Sequence, residues 1–187
     1  MKRLAAAALF LFATAPAARA QQEACKMEMN VPALTLADMY AKSEKIAKAW
    51  KADAVPARIT NTSMGPLDEK GKSEAWNLTF YSASSDSNVA INTFRGMFTC
   101  YAMPGSAGRL PALKPDFFRD GAKLYAIAKE KGGNFIAEGY AVSVGTAAAP
   151  NTNHATWYIS YSKPDGTTAK RTVILDANTG AVEKVLD

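Results

Sequence analysis

The sequence predicts an α+β fold built as a tandem repeat of two α-β-β-β-β units, each with one helix packed on an antiparallel sheet. The first observation is internal similarity: a shift of 81 residues places Trp157 on Trp76 and Ile159 on Leu78. The second is that the same shift aligns two helical segments without a gap. Such a repeat indicates two copies of one small unit that share a sheet or a core. The aligned helical pairs are Lys42 with Lys123, Ile46 with Ile127, Ala47 with Ala128 and Lys48 with Lys129.

The chain divides into four segments by composition. Residues 1–20 have the composition of a signal peptide, and residues 21–103 form the first unit. Residues 104–115 contain two glycines and three prolines, which is typical of a linker. Residues 116–187 form the second unit.

The first segment carries the features of an export signal. Lys2 and Arg3 precede the apolar run Leu4–Ala15, which is too short to span a bilayer comfortably. Ala18-Arg19-Ala20 matches the small-x-small cleavage pattern. We therefore expect cleavage after Ala20 and a periplasmic or secreted protein without a transmembrane segment. An uncleaved anchor is the less favoured alternative.

Removal of the signal changes the charge of the protein. The full chain has 22 basic and 17 acidic residues, and the signal contains three of the basic ones and none of the acidic ones. The mature protein is therefore nearly neutral, and its charge gives no reason to expect a nucleic-acid partner.

Two cysteines, Cys25 and Cys100, remain after export. In an oxidising compartment such a pair most simply forms a disulfide. A redox-active or metal-binding pair is the alternative, but the two residues lack C-x-x-C spacing and nearby histidines.

The first unit begins with a helix predicted over Leu34–Ala52. Thr35 is the expected N-cap, and Asp38 stands at the capping-box position. Lysines occupy another face, interrupted by Glu44; this row most simply faces solvent, and a contact with a membrane or a polyanion is the alternative. The apolar positions, at three- and four-residue steps, are Leu36, Met39, Tyr40, Ser43, Ile46, Ala47 and Trp50.

Four strands are predicted to follow that helix. Alternation in the second of them places Trp76, Leu78 and Phe80 on the face towards the helix. The loop Met64–Ser73 separates the first two strands. The predicted strands are Ala57–Ser63, Glu74–Ser82, Val89–Phe94 and Met97–Ala102.

The second unit repeats this order. A helix is predicted over Asp116–Lys131 and ends at Gly132-Gly133, where positive φ is favoured. Thr146–His154 is the counterpart of the earlier loop. Hairpin turns are predicted at Pro164-Asp165-Gly166 and at 176–180. The strands are Asn134–Gly145, Thr156–Ser162, Thr167–Leu175 and Ala181–Leu186.

The second unit resembles a PepSY domain. The resemblance is carried by Trp157–Tyr161, by the Pro164-Asp165-Gly166 turn and by Asp176-Ala177-Asn178-Thr179-Gly180 between two strands. The first unit enters only through the internal repeat, because Phe94-Arg95-Gly96-Met97 stands where the Asp-Ala-x-Thr-Gly turn would be. The resemblance implies an exported, non-catalytic module that restrains peptidases or senses the cell envelope. The tandem arrangement is also similar in outline to beta-lactamase inhibitory proteins, which grip a protein with a curved sheet.

The residues give little support for catalysis or cofactor binding. His154 is the sole histidine and lies in a polar loop. The chain contains no G-x-S-x-G motif that would supply a nucleophile for it. The Asp176–Gly180 turn lacks the acidic ligands of a calcium loop. The sequence therefore predicts no catalytic residue, no metal site and no cofactor. A hydrolase built around His154 remains an alternative.

Binding is expected on the sheet face away from the helices. An antiparallel sheet can leave that face to water, and tyrosine offers contact area at low entropic cost. The function predicted is an exported protein-binding module that inhibits or regulates a peptidase or another cell-envelope protein. The alternatives are two sheets packed face to face, or a small-ligand carrier with an apolar pocket between helix and sheet, as in cystatin-like cones. The predicted contact residues are Tyr81, Tyr158, Asn77, Thr79 and Ser160.

Overall fold

The structure, a computed structural model, describes residues 26–105, 113, 116–148 and 154–187. The predicted signal 1–20, Cys25 and most of the predicted linker 104–115 lie outside these residues. The described helices are α1 (Leu36–Trp50) and α2 (Gly121–Lys131). The described strands are β1 (Leu34–Thr35), β2 (Val55–Asn61), β3 (Lys72–Ser73), β4 (Trp76–Ser82), β5 (Ser87–Phe94), β6 (Met97–Pro104), β7 (Ala141–Ala148), β8 (Ala155–Ser162), β9 (Thr168–Asp176) and β10 (Val182–Leu186).

Eight of these strands form one antiparallel sheet in the order β10-β9-β8-β7-β2-β4-β5-β6. The α+β class predicted from the sequence is therefore confirmed. β2 and β7 are neighbours, so the strands of the two halves of the chain join edge to edge rather than packing face to face. β1 and β3, which the sequence pattern does not predict, form a separate two-stranded ribbon.

Side chains, rather than a long backbone ladder, connect the two halves where β2 meets β7. The N–H of Ile59 donates to Thr146 Oγ1 at 2.9 Å. The N–H of Val144 donates to Asn61 Oδ1 at 2.6 Å. Thr146 and Asn61 are both buried, so these oxygens replace carbonyl acceptors for N–H groups that water cannot reach. The junction thus depends on two polar side chains that each bond the backbone of the other half.

α1 follows the sequence prediction closely. The side chain of Thr35 accepts the N–H of Asp38 at 3.1 Å and donates to its carboxylate at 2.7 Å, so the N-cap and its acidic partner are confirmed. The helix is two residues shorter at each end than predicted. All seven positions of the predicted apolar face are buried.

α2 begins at Gly121, so the predicted start at Asp116 is wrong. Asp120 is the N-cap, and its side chain accepts the N–H of Lys123 at 3.0 Å. Phe117 precedes the helix but is still buried, with its ring centroid 4.9 Å from that of Tyr40 on α1. A Cβ on Gly121 would lie 2.6 Å from the carbonyl oxygen of Gly71. The absence of a side chain at Gly121 therefore permits the backbone at Gly71 to approach the start of α2.

The predicted strand Asn134–Gly145 is also wrong in its first half. The chain turns there, with backbone hydrogen bonds from Glu138 to Asn134 at 2.9 Å and from Tyr140 to Phe135 at 2.9 Å. Gly139 has φ of 84°, which favours glycine and ends the turn before β7. The remaining predicted strands are each confirmed to within two residues at both ends.

One core lies between the sheet and both helices. Trp76 and Trp157 are fully buried, and their indole N–H groups donate to Leu34 O and Phe118 O, each at 2.8 Å. Both acceptors lie just before a helix, so each indole anchors the entry to its helix. Tyr161 donates to the Ala128 carbonyl on α2 at 2.7 Å, and burial raises the pKa of Tyr161 to about 12.

Candidate binding face

Strand alternation gives the sheet a face covered by α1 and α2 and a second face on which no described helix packs; we term the second the open face. Ring contacts place α1 on the covered face, since Tyr40 lies 6.0 Å from Phe80, centroid to centroid. The hydrogen bond from Tyr161 places α2 there as well. By register the open face includes Thr60, Asn77, Thr79, Tyr81, Asn88, Ala90, Asn92, Tyr101, Ser143, Tyr158, Ser160 and Ile174.

All five predicted contact residues lie on the open face, but they differ in exposure. Ser160 is exposed, and Asn77 and Tyr158 are half-buried. Thr79 and Tyr81 are only 6% and 7% exposed. They offer a partner little area, contrary to the expectation of a face open to water.

The burial of Tyr81 has a local cause. Its strand neighbours are Val55 on β2 and Asn88 on β5. Its hydroxyl donates to Asp86 Oδ1 at 2.9 Å, in the turn between β4 and β5. The ring therefore supports the β4–β5 hairpin, and its polar atom is already used.

Tyr101 is absent from the predicted set although it is the most accessible tyrosine of the open face's first half. It pairs with Ala90 in register and is 51% exposed. The alternation within Met97–Ala102 is the signal that places it on this face.

The middle of the open face is polar but almost uncharged. Over their described lengths, β4, β5, β7 and β8 contain no charged residue. Arg58 on β2, paired with Thr79, brings a positive charge near the centre. Amides, hydroxyls and tyrosines on a rigid sheet can donate and accept hydrogen bonds with little ordering cost.

Three possible metal ligands lie together where β8 begins and β9 ends. Ligand atoms of His154, Asp176 and Glu183 lie within 4.8 Å of one another. His154 Nε2 is 2.7 Å from Glu183 Oε1. The sequence pattern treats His154 as a solvated loop residue and does not connect these positions.

Asp176 also organises the turn that follows β9. Its Oδ1 accepts the N–H of Asn178 at 2.9 Å, and the N–H and hydroxyl of Thr179 at 2.7 and 3.0 Å. Gly180 has φ of 74°, as predicted for this turn. Burial raises the pKa of the Asp176 carboxyl, but these donors and the charge of His154 outweigh it, so the pKa lies below its ordinary value.

No protein-family model, curated protein or solved structure matches the chain. The resemblances to PepSY domains and to beta-lactamase inhibitory proteins therefore stay predictions.

The space between helices and sheet is filled by side chains. Trp76, Phe80, Trp157 and Tyr161 are all at most 1% exposed. A wide groove of 360 Å³ lies elsewhere, between the N-terminal ends of the two helices. Its lining includes Thr35, Lys70, Arg119 and Asp120. It lies at the helix ends rather than between a helix and the sheet, where the small-ligand alternative places its pocket.

No described helix combines the length and apolar character needed to cross a membrane.

The predicted partner of Cys100 lies outside the described residues, so the disulfide stays a prediction. A bridge between Glu28 and Phe98 runs beside it, with N–H···O distances of 3.1 and 2.9 Å.

Proposed function

We propose that this chain is an exported, non-catalytic module that recognises a protein partner through the open face. The observation that carries the proposal is a broad sheet face lined by tyrosine, asparagine, serine and threonine on which no described helix packs. Rigid aromatic side chains next to adaptable polar ones are typical of surfaces that bind proteins. The half-buried Tyr158 and the exposed Tyr101 are the anchors, one in each half.

The open face is large enough for a stable complex. Eight strands spaced about 4.8 Å apart span roughly 34 Å, and strands of seven residues extend about 23 Å. The outline of the sheet is therefore roughly 800 Å², the area each partner buries in an interface of standard size, although Thr79, Tyr81 and Ala90 within it are at most 7% exposed. A single flat partner surface could therefore cover both halves at once.

We further propose that the two halves are copies of one α-β-β-β-β unit. The sheet order is symmetric about the β2–β7 junction, with the four long strands of each half in mirrored sequence. Trp76 and Trp157 support the equivalence, because each is buried and donates at 2.8 Å to a carbonyl just before a helix. Asn61 and Thr146 also hold equivalent places, each opposite one of these tryptophans.

Loop lengths explain why the repeat is clear in some segments and hidden in others. The offset of 81 residues holds for the helices and for β4 with β8, but it is 85 between β2 and β7. The turn after α2 is four residues longer than its counterpart, and the loop after β7 is four residues shorter. The shorter loop compensates for the longer turn, so the offset returns to 81 residues at β8.

The proposed partner is a peptidase or another protein of the cell envelope. This choice rests on the PepSY-like turn Asp176–Gly180 and on the signal-like residues 1–20. Protein recognition is preferred to the small-ligand alternative because large side chains occupy the space between helices and sheet. Catalysis is not proposed, because the sequence contains no G-x-S-x-G nucleophile motif that could act with His154.

Affinity capture with open-face variants tests the proposal. Mature protein is immobilised and exposed to the exported proteins of the source bacterium, with Tyr101→Ala and Tyr158→Ala compared with the unaltered chain. Loss of an anchoring tyrosine costs about 2 kcal/mol, so recovery of a discrete partner should fall roughly thirtyfold. Circular dichroism checks that each variant is folded.

Tyr125→Ala is the matched control, because Tyr125 is a half-buried tyrosine on α2, on the other side of the sheet. The control should capture the partner as well as the unaltered protein does. Equal recovery by all three variants, or equal loss in all three, would remove the open face as the binding site.

A further inference from the structure

We propose that His154, Asp176 and Glu183 form a binding site for a divalent transition-metal ion, with zinc as the best fit. The proposal is independent of the identity of any protein partner. The three residues come from neighbouring parts of the sheet: His154 directly precedes β8, Asp176 ends β9, and Glu183 lies in β10. Their ligand atoms already lie within 4.8 Å of one another.

A β-bulge directs Glu183 towards this cluster. The β10–β9 register shifts between Val182 and Lys184, and Glu183 is the residue inside that shift. Bulges change the direction of a side chain and are common next to functional sites. Glu183 Oε1 consequently reaches to 2.7 Å from His154 Nε2 across an intervening strand.

Asp176 is fixed in place before any ion arrives. Three donors from Asn178 and Thr179 hold its Oδ1, so the orientation of the carboxylate does not have to be ordered on binding. Its other oxygen, Oδ2, makes no hydrogen bond with the described residues and is the proposed ligand atom.

The charge of the cluster favours a cation over a simple ion pair. One imidazole can neutralise one carboxylate, but two carboxylates surround His154, so the group keeps an excess negative charge even when the imidazole is protonated. With His154 neutral, a divalent ion would balance both carboxylates.

The ligand set points to zinc rather than calcium. Zinc binds imidazole nitrogen and carboxylate oxygen at about 2.0–2.2 Å, whereas calcium takes six to eight oxygen ligands. Tetrahedral bonds of that length place ligand atoms roughly 3.3 Å apart. The His154–Glu183 contact would open by roughly 0.6 Å, and the other two separations would close by at most about 1.5 Å, which side-chain rotation can supply.

A fourth position would remain for water or for an external ligand. Asp176 pairs with Thr156 in register, so it stands on the same side of the sheet as Tyr158. An ion held here would lie at the margin of the open face.

Cobalt and zinc titrations of the untagged mature protein, after treatment with a chelator, test the site. We expect one ion per chain, a visible Co²⁺ absorption band typical of tetrahedral nitrogen and oxygen ligands, and its loss when Zn²⁺ is added. His154 is the chain's sole histidine, so its ring signals in the NMR spectrum report binding without ambiguity. They should shift with Zn²⁺ and broaden with Co²⁺.

His154→Gln and Glu183→Gln should each lower the affinity about tenfold or more. Asp165→Asn is the matched control, because Asp165 caps another hairpin turn through the N–H of Thr167 at 2.8 Å. The control should bind normally. Absence of saturable binding at one ion per chain, or binding unchanged by His154→Gln, would overturn the proposal and leave the His154–Glu183 contact as an ion pair only.

Discussion

Thr146→Val tests whether the polar junction between β2 and β7 stabilises the sheet. Thr146 Oγ1 accepts the N–H of Ile59 at 2.9 Å and donates back to its carbonyl at 3.4 Å. Valine has the same shape but neither bond. Because Ile59 is fully buried, water cannot take the place of the lost acceptor.

The expected cost follows from these contacts. A buried N–H without a partner costs about 1–3 kcal/mol. The added methyl group returns at most about 0.8 kcal/mol of apolar burial. We therefore expect the free energy of unfolding to fall by about 1–2 kcal/mol, which lowers the melting temperature by roughly 2–8 °C for a chain of this size.

Urea denaturation followed by tryptophan fluorescence measures this change. Thr79→Val is the matched control, since Thr79 is equally buried in the same sheet but its hydroxyl makes no hydrogen bond with the described residues. The control should change stability by less than about 0.5 kcal/mol. Equal losses for the two variants would refute the role assigned to the Thr146 hydroxyl.

Three further outcomes are expected. Intact mass should show a Cys25–Cys100 disulfide, and its reduction should cost about 4 kcal/mol, because it closes a loop of about 75 residues; two free thiols in the mature protein would contradict it. The pKa of Tyr161 is raised from 10.0 to about 12, so its contribution to stability is complete below pH 10 and is lost as the pH rises to 12. Tyr161→Phe should reduce this alkaline loss, and an unchanged pH profile would contradict the assignment. Gly121→Ala should destabilise despite the higher helix propensity of alanine, because its Cβ would meet the Gly71 carbonyl at 2.6 Å; thermal melts that show a stabilised variant would refute the clash.

Local patterns in the sequence predict most of the elements. The face of α1 is encoded by steps of three and four residues, and its N-cap needs only Thr35 and Asp38. The strand around Trp76 and the turn at Asp176–Gly180 are likewise defined by neighbours in sequence. Each of these predictions depends on contacts within a few residues.

The errors arise where contacts between distant segments decide the structure. Apolar residues after α2 suggest an early strand, but Phe135 packs against Tyr161 at 5.5 Å between ring centroids, in a turn instead. At the start of α2, the backbone of Gly71, fifty residues earlier in the chain, comes so close that a Cβ on Gly121 would lie 2.6 Å from its carbonyl oxygen. Alternation alone cannot show these approaches.

The same limit applies to the candidate sites. Alternation places Tyr81 on the correct face, but its burial depends on strands on either side of β4. The cluster of His154 with Glu183 joins residues 29 positions apart, and a bulge in β10 determines it. Register between strands is the information that the sequence pattern lacks.

Site-specific photo-crosslinking in cells that express the protein tests the central claim most directly. A benzophenone amino acid is placed at Ser160, exposed on the open face, or at Ala126, exposed on α2. Recognition through the open face predicts a discrete crosslinked protein from Ser160 and none from Ala126. A crosslink from Ala126 alone, or none from either position, would contradict the proposed function.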